Sequence, residues 1–186
     1  MITKVYISHW EHDEPLAQEL TRALWAVNLE SFSSLYNKAR ALSEAERMNF
    51  GIRHSDCMIV ILTREGVESP RVNQELGLAV GTDQLIIPLV ENGVKLPILI
   101  NHLNPVIFSR DNYEDALGMV LQSIRDLTRL DWLKIICPYC EEEMTQYITP
   151  QEEVDRALLS GTDLKTMCSY CERTIFLDPR TFRPMH

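Results

Sequence analysis

Two short cysteine motifs near the C-terminal end of the chain carry a strong chemical signal. One runs from Cys137 to Cys140 (CPYC) and the other from Cys168 to Cys171 (CSYC). Each C-x-x-C turn can present two thiolates to one ion, and two such pairs complete a tetrahedron. The spacing therefore predicts a zinc site made of four cysteines. Four thiolates leave no open position for water, so the predicted role of the zinc is structural.

Two alternatives to zinc are a pair of disulfides and a redox-active C-x-x-C motif. A cytoplasmic location disfavours disulfides, and a redox motif needs one pair at a helix start instead of two matched pairs. Between the motifs, residues 149–152 (TPQE) predict a capping box that begins a helix over 150–160, and Gly161 predicts its end. A strand is predicted over 174–177, and with it residues 131–186 resemble a zinc ribbon. The binding free energy of a structural zinc, about 10–16 kcal/mol, would hold such a domain folded. The fifth cysteine, Cys57, falls in an apolar run and is predicted to be a core residue.

A second candidate for chemistry is the carboxylate of Glu75. The run from Cys57 to Leu62 (CMIVIL) is typical of a strand buried on both faces, and a helix is predicted over 70–80 after it, with Ser69 as its N-cap. Glu75 lies at the edge of that helix's apolar face, just past the carboxyl end of the strand, where open α/β sheets bind ligands. The alternative is a boundary residue that is solvated or pairs with Arg71, one helical turn earlier.

The elements that must position Glu75 alternate between strand and helix. This order predicts an α/β fold with a central parallel five-stranded sheet and helices on both sides. Pro88 places its strand toward an edge or an irregular end. We expect two domains, residues 1–130 and 131–186. Strands are predicted over 4–8, 29–33, 57–62, 84–90 and 105–109, and helices over 15–29, 43–54, 70–80 and 111–130.

Three segments in this order resemble the Toll/interleukin-1 receptor (TIR) domain family of prokaryotic type. Residues 5–14 (VYISHWEHDE) resemble the family's opening box, residues 50–63 its middle section, and residues 69–76 (SPRVNQEL) its Ser-x-Trp-x-x-x-Glu-Leu segment. The resemblance covers about two thirds of the chain and implies a flavodoxin-like sheet.

The resemblance also implies a function. In catalytic TIR domains the glutamate that matches Glu75 is the essential carboxylate, and the substrate is NAD⁺. The enzyme cleaves the bond between nicotinamide and ribose and gives ADP-ribose, a cyclic ADP-ribose or a ribosylated acceptor, in signalling or antiviral defence. Such domains act through self-association or with another TIR protein. Two alternatives stay open: a non-catalytic TIR scaffold, and an enzyme resembling nucleoside deoxyribosyltransferases.

Five further residues are candidates for binding NAD⁺. Ser8, His9 and Trp10 follow the first strand at the ligand edge of the sheet, where Trp10 either stacks on a ring of the ligand or packs on the first helix. Ser33 begins the loop that matches the family's mobile BB loop, with Ser34 next to it, but the family's Arg-Asp-x-x-Pro-Gly sequence is missing. Arg71 stands where many members carry Trp, and is predicted to contact a phosphate or to pair with Glu68 or Glu75.

Charge and hydropathy narrow the possible partners. The formal net charge of −9 disfavours nucleic acid and anionic membranes as partners. No apolar run approaches the 18 or so residues of a membrane span. The chain opens directly on a strand-like run with no signal-peptide pattern, so we expect a cytoplasmic protein.

Overall fold

The computed structural model describes residues 2–33, 35, 42–127, 132–147 and 149–185. The expected domain boundary at residues 130 and 131 lies outside the described residues. So do Ser34 and most of the predicted BB loop.

The predicted parallel five-stranded sheet is confirmed. Every neighbouring pair of strands is parallel, and the order is β2-β1-β3-β4-β5. The strands are Lys4–Ser8 (β1), Glu30–Phe32 (β2), Cys57–Leu62 (β3), Leu85–Glu91 (β4) and Val106–Phe108 (β5). The central strand β3 is buried at all six positions, as its unbroken apolar run predicts.

Helices cover both faces of the sheet. They are Glu14–Ala26 (α1), Glu44–Arg53 (α2), Pro70–Gly81 (α3) and Tyr113–Leu127 (α4). Side chains alternate across each strand. Val5 and Ile7 of β1 therefore join the core formed with α1 and α4, whereas Tyr6 joins the core formed with α2 and α3.

Helix ends follow the local sequence with two differences. Ser43 forms the predicted capping box with Glu46, and Ser69 caps α3 through the amide of Val72. Gly81 is the last residue of α3 and not the stop beyond it. Helix α1 ends three residues earlier than predicted because Asn28 takes a left-handed backbone, with φ of 60°, before the chain enters β2.

Pro88 lies in an interior strand, which corrects the expectation of an edge strand. It is in register with Val60 of β3, and the pairing of β4 with β5 begins one residue later, at Leu89. A residue without an N–H is tolerated because β5 is too short to pair with that part of β4.

The C-terminal module, residues 132–147 and 149–185, consists of two antiparallel hairpins and one helix. Its elements are Trp132–Ile136 (β6), Glu143–Tyr147 (β7), Gln151–Ser160 (α5), Leu164–Met167 (β8) and Thr174–Leu177 (β9). Gly161 ends α5 in the left-handed conformation, as predicted. The predicted capping box at Thr149 is wrong, because Pro150 is the N-cap and no side chain caps the helix.

The C-terminal module packs on the side of the sheet that α1 and α4 cover. Apolar residues of its hairpins and of α5, among them Ile135, Val154 and Leu177, belong to the same buried cluster as α1 and α4. Arg183 donates a hydrogen bond to the carbonyl of Glu19 in α1, at 3.1 Å. One hydrophobic core is thus shared by the sheet and the module.

Candidate active site and candidate metal centre

Glu75 is buried beneath the end of β1. Only 2% of its surface is exposed. The Tyr6 hydroxyl donates a hydrogen bond to Oε1 at 2.7 Å, and the Ser8 hydroxyl donates one to Oε2 at 2.6 Å. Arg71 Nε lies 3.3 Å from Oε1. The alternative of a solvated boundary residue is therefore wrong, whereas the pairing with Arg71 is confirmed.

Sequence reasoning missed Tyr6. Tyr6 and Ser8 are two residues apart on β1, so their side chains leave the strand on the same side, toward α3. The period of the strand was the signal that could have identified Tyr6. Two hydroxyl donors offset the cost of burying a carboxylate.

Arg71 links α3 to α2. Besides Glu75, its guanidinium pairs with Glu44 at the start of α2. The prediction of a partner at Glu75 is confirmed, and Glu44 is a partner that the sequence did not indicate. The side chain of Arg71 is 22% exposed, whereas that of Glu75 is 2% exposed.

His9 lies just beyond β1 and is 1% exposed. Its Nδ1 is 2.8 Å from the Trp10 carbonyl, which can only accept, so Nδ1 carries the proton. Its Nε2 faces the hydroxyl of Ser33, at 3.4 Å. Burial lowers the pKa of His9 although the Trp10 carbonyl and the negative charges of Glu75 and Asp13 act in the opposite direction.

A second buried carboxylate, Asp13, lies near His9 and was also missed. The Thr63 hydroxyl at the end of β3 donates to Asp13 at 2.7 Å and accepts from the Gly66 amide at 2.9 Å. Burial raises the pKa of Asp13, and the bond from Thr63 opposes that shift. No sequence signal indicates this pair, because Asp13 and Thr63 are 50 residues apart.

Trp10 packs differently from the expected contact with the first helix. It is half-buried against the core of α2 and α3, and its ring meets that of His12 edge to face, with centroids 4.4 Å apart. Its proposed stacking on a ligand stays a prediction.

The residues around Glu75 meet at the point where the order of the strands in the sheet reverses. The helix after β1 lies on one face and the helix after β3 lies on the other, although β1 and β3 are neighbours. In open parallel sheets this switch point leaves a crevice at the carboxyl ends of the strands, where ligands bind. Ser8, His9 and Thr63 all stand at those ends, and Glu75 lies below Ser8.

The four cysteines of the two C-x-x-C motifs form one cluster. Their sulfur atoms all lie within 4.8 Å of one another, and the pairs Cys137–Cys171 and Cys140–Cys168 are 3.7 Å apart. A Zn–S bond of about 2.3 Å places tetrahedral sulfurs about 3.8 Å apart. The cluster therefore fits a metal ion of that size. Cys57 is buried in β3, where burial raises the pKa of its thiol to about 12, as expected of a core residue.

Both cysteine turns have the same backbone geometry. In each, the amide two residues after the first cysteine donates to its sulfur at 3.4 Å. The carbonyl of this first cysteine accepts a hydrogen bond at 3.0 Å from the amide four residues later in the chain. The amide of the first cysteine donates a hydrogen bond to the carbonyl five residues later. The fourth residue after the cysteine has a positive φ, 61° at Glu141 and 58° at Glu172.

A third turn repeats this geometry without cysteines. It begins at Asp178, whose carboxylate accepts from the Arg180 amide at 2.7 Å, and Phe182 has the positive φ of 56°. The two backbone hydrogen bonds that the carbonyl and the amide of the first cysteine make in the other turns are made here by Asp178, at 2.8 and 3.0 Å. Thr181 stands where the second cysteine stands in the other turns; it is fully buried, and its hydroxyl oxygen has no hydrogen-bond partner among the described residues.

The third turn is held by a guanidinium instead of a metal. Arg180 hydrogen-bonds the Asp178 carboxylate and also pairs with Asp115 of α4. A Cβ placed on Gly118 of α4 would lie 3.1 Å from the carbonyl oxygen of Arg180. The third turn thus docks the C-terminal module on α4, at a point where the helix has no side chain.

No helix in the described part of the chain has the length and apolar character needed to cross a membrane.

Comparison with known proteins agrees with this architecture. The TIR domain of a Toll-related receptor from Hydra magnipapillata superposes with a TM-score of 0.56 at 18% identity, over 67% of this chain and 99% of that one. The TIR domains of the activated Roq1 resistosome superpose with a TM-score of 0.57 at 10% identity, over 66% and 99%. The CMP N-glycosidase BcmB from Clostridium botulinum gives a TM-score of 0.49 at 17% identity, over 67% and 99%.

No match was found among curated protein sequences. The family model of the TIR domain matches residues 5–121, which include Glu75 and all five strands of the sheet except the first residue of β1, Lys4. This chain therefore belongs to the TIR domain family.

Proposed function

We propose that this protein cleaves NAD⁺ between nicotinamide and ribose, with Glu75 as the catalytic carboxylate. The observation that carries the proposal is a buried carboxylate at the switch point of a TIR sheet, held by the hydroxyls of Tyr6 and Ser8. A ligand crevice is expected at that location in open parallel sheets.

The chemistry suits one oriented carboxylate. As the C1′–N bond breaks, the ribose gains oxocarbenium character, and a nearby negative charge stabilises it. In a site screened from water this attraction is stronger than in bulk solvent. Nicotinamide leaves as a neutral molecule, so no strong general acid is required.

Arg71 controls access to the carboxylate in this proposal. Its contact with Glu75 is the longest of the three, at 3.3 Å, and its side chain is partly exposed. Rotation of Arg71 toward solvent uncovers Oε1 without disturbing the two short bonds to Tyr6 and Ser8. A displaced Arg71 is then available to a phosphate of the substrate.

Nicotinamide release from NAD⁺, measured by chromatography at high protein concentration, tests the proposal. One similar structure is that of TIR domains within a resistosome, so the assay includes conditions that favour self-association. We expect release by the wild type and a loss of at least about 100-fold in Glu75→Gln. Glu68→Gln, an exposed glutamate before α3, is the matched control and should keep full activity. Equal release by wild type and Glu75→Gln contradicts the proposal.

The second candidate is a non-catalytic TIR scaffold. The hydrogen bonds that Tyr6 and Ser8 donate to Glu75 would also join β1 to α3 in such a protein. A scaffold predicts no nicotinamide release from either protein under any condition, with Glu75→Gln changing only the stability.

We infer further that the cysteine cluster binds one structural Zn²⁺. Cys137, Cys140, Cys168 and Cys171 would supply all four ligands, and the ion would hold the two hairpins together. Four thiolates of this geometry suit Zn²⁺ or iron. Elemental analysis of the purified protein should find one zinc and no stoichiometric iron per chain.

A further inference from the structure

His9 and Ser33 form a pair beside Glu75 that the cleavage of the nicotinamide bond does not itself require. We propose that His9 is the general base that removes the proton from the water attacking the ribose, and that Ser33 positions that water. This inference rests on the proposed function and specifies water as the acceptor of the ribose that the site activates.

The protonation pattern of His9 supports this role. Because the Trp10 carbonyl fixes the proton on Nδ1, Nε2 presents a lone pair on the side of Ser33. A hydroxyl at that position can only donate to Nε2. Nε2 is thus the ring nitrogen that can take a proton, as a base must.

The placement of the pair also fits. His9 follows Ser8, whose hydroxyl is 2.6 Å from Glu75, and Ser33 follows the neighbouring strand β2. The base and the carboxylate therefore flank the carboxyl end of β1. The groups that set the charge of His9 are Glu75 and Arg71 of α3 and Asp13 in the turn after β1. Burial dominates and keeps the imidazole neutral at pH 7.

Hydrolysis replaces the bond from C1′ of the ribose to nicotinamide with a bond to water. The C1′–N bond to nicotinamide breaks with its electron pair going to nicotinamide, and a C1′–O bond forms with water. Nε2 of His9 takes one proton of that water and later releases it to solvent. The products are ADP-ribose, neutral nicotinamide and one proton.

The decisive experiment replaces water with a nucleophile that has no proton to lose when it attacks the ribose. The ring nitrogen of 3-acetylpyridine attacks the same carbon and displaces nicotinamide with no proton to remove. The full-length protein is assayed for ADP-ribose formation and for exchange of nicotinamide against 3-acetylpyridine. His9→Asn keeps an N–H donor for the Trp10 carbonyl but removes the base.

We expect His9→Asn to lose about 100-fold or more of hydrolysis while exchange stays within about threefold of wild type. Retained exchange also shows that the variant folds. Ser33→Ala, which removes only the positioning hydroxyl, should lose about tenfold of hydrolysis and keep exchange. Glu75→Gln should lose both reactions, since both break the nicotinamide bond.

A pH profile of the wild type gives an independent test that needs no variant. Because the pKa of His9 is lowered, the base is protonated only in acid. Hydrolysis should decline as the pH falls through that lowered pKa, and exchange should show no matching decline. An identical acid limb in both reactions contradicts a role for His9 as the base.

The remaining outcomes separate the two proposals. If His9→Asn keeps both reactions or loses both equally, or if the wild type forms only a cyclic product, His9 is not the base while cleavage of NAD⁺ stands. If the wild type catalyses neither reaction, cleavage of NAD⁺ is wrong and the role of His9 falls with it.

Discussion

The sheet region, described residues 2–127, and the C-terminal module hold their reactive groups by different means. Glu75 lies in a core where all six residues of β3 are buried, and neighbouring side chains fix it. The four cysteines lie at the tips of two-stranded hairpins, and β9 buries only alternate residues. A two-stranded hairpin is marginal on its own, so we expect the cysteine turns to depend on a bound metal, whereas protein side chains already hold Glu75.

The two regions are nevertheless joined through one core. The module shares a buried cluster with α1 and α4, and its third turn docks on α4 through Arg180. The two regions therefore differ in what holds each site in place and are not two separate bodies. The module therefore packs against the side of the sheet that carries α1 and α4.

Loss of the metal should give the largest difference between the regions. A structural zinc is worth about 10–16 kcal/mol to a module of this kind. We expect Cys168→Ser, or chelation of the wild type, to make residues 132–185 sensitive to protease while the sheet stays protected. Limited proteolysis with mass spectrometry measures this.

Cys57→Ala provides the matched cysteine control. It removes the buried thiol outside the cluster and should leave the metal content at one per chain, with a modest loss of stability. Cleavage of the sheet together with the module in Cys168→Ser would show that the shared core, and not the metal, governs both regions.

The elements of the sheet could be predicted because each has a local cause. The apolar run of β3, the capping box at Ser43 and the N-cap at Ser69 depend only on nearby residues. Pro88 was misplaced because its tolerance depends on the length of β5, a property of another strand.

The residues of the candidate sites could likewise be predicted only where the signal is local in the sequence. The two C-x-x-C motifs can be recognised directly in the sequence, so all four residues of the cysteine cluster were predicted. Tyr6 was missed although its spacing from Ser8 pointed to it, and Asp13 was missed because Thr63 is distant in sequence. The turn at Asp178 shares only backbone geometry with the cysteine turns, and no residue type reveals it.

The packing around Glu75 should tolerate less change than the exposed part of α3. A Cβ on Gly51 of α2 would lie 2.2 Å from the ring of Phe32 and 2.8 Å from the ring of Tyr6. Overpacking outweighs the gain in helix propensity, so we expect Gly51→Ala to destabilise the protein by about 1–2 kcal/mol. Displacement of Tyr6 should also lower nicotinamide release.

Gly77→Ala in α3 is the control for that variant. Nothing lies within 4 Å of its added Cβ, so it should stabilise the protein by about 0.5–1 kcal/mol. Urea denaturation measures both variants. Equal effects of the two substitutions would mean that packing at Tyr6 does not constrain the sheet region.

The smallest expected effect concerns the turn that has no metal. Burial raises the pKa of Asp178, but the hydrogen bonds and charge of Arg180 outweigh burial and hold that pKa below its usual range. Because the folded pKa is lowered, the contribution of Asp178 is fully present above the unfolded pKa of about 3.9 and is lost as the pH falls through the folded value.

Asp178→Asn should therefore destabilise the protein at pH 7 by no more than about 1 kcal/mol, since Arg180 is 44% exposed. The difference from wild type should vanish once the pH falls below the lowered folded pKa of Asp178, where both side chains are neutral. Asp163→Asn, an exposed acid of the same module, should show no such convergence. Denaturation curves at the two pH values measure this. A difference that persists in acid would mean that the charge of Asp178 is not what stabilises the third turn, and no difference at either pH would mean that its backbone bonds alone hold it.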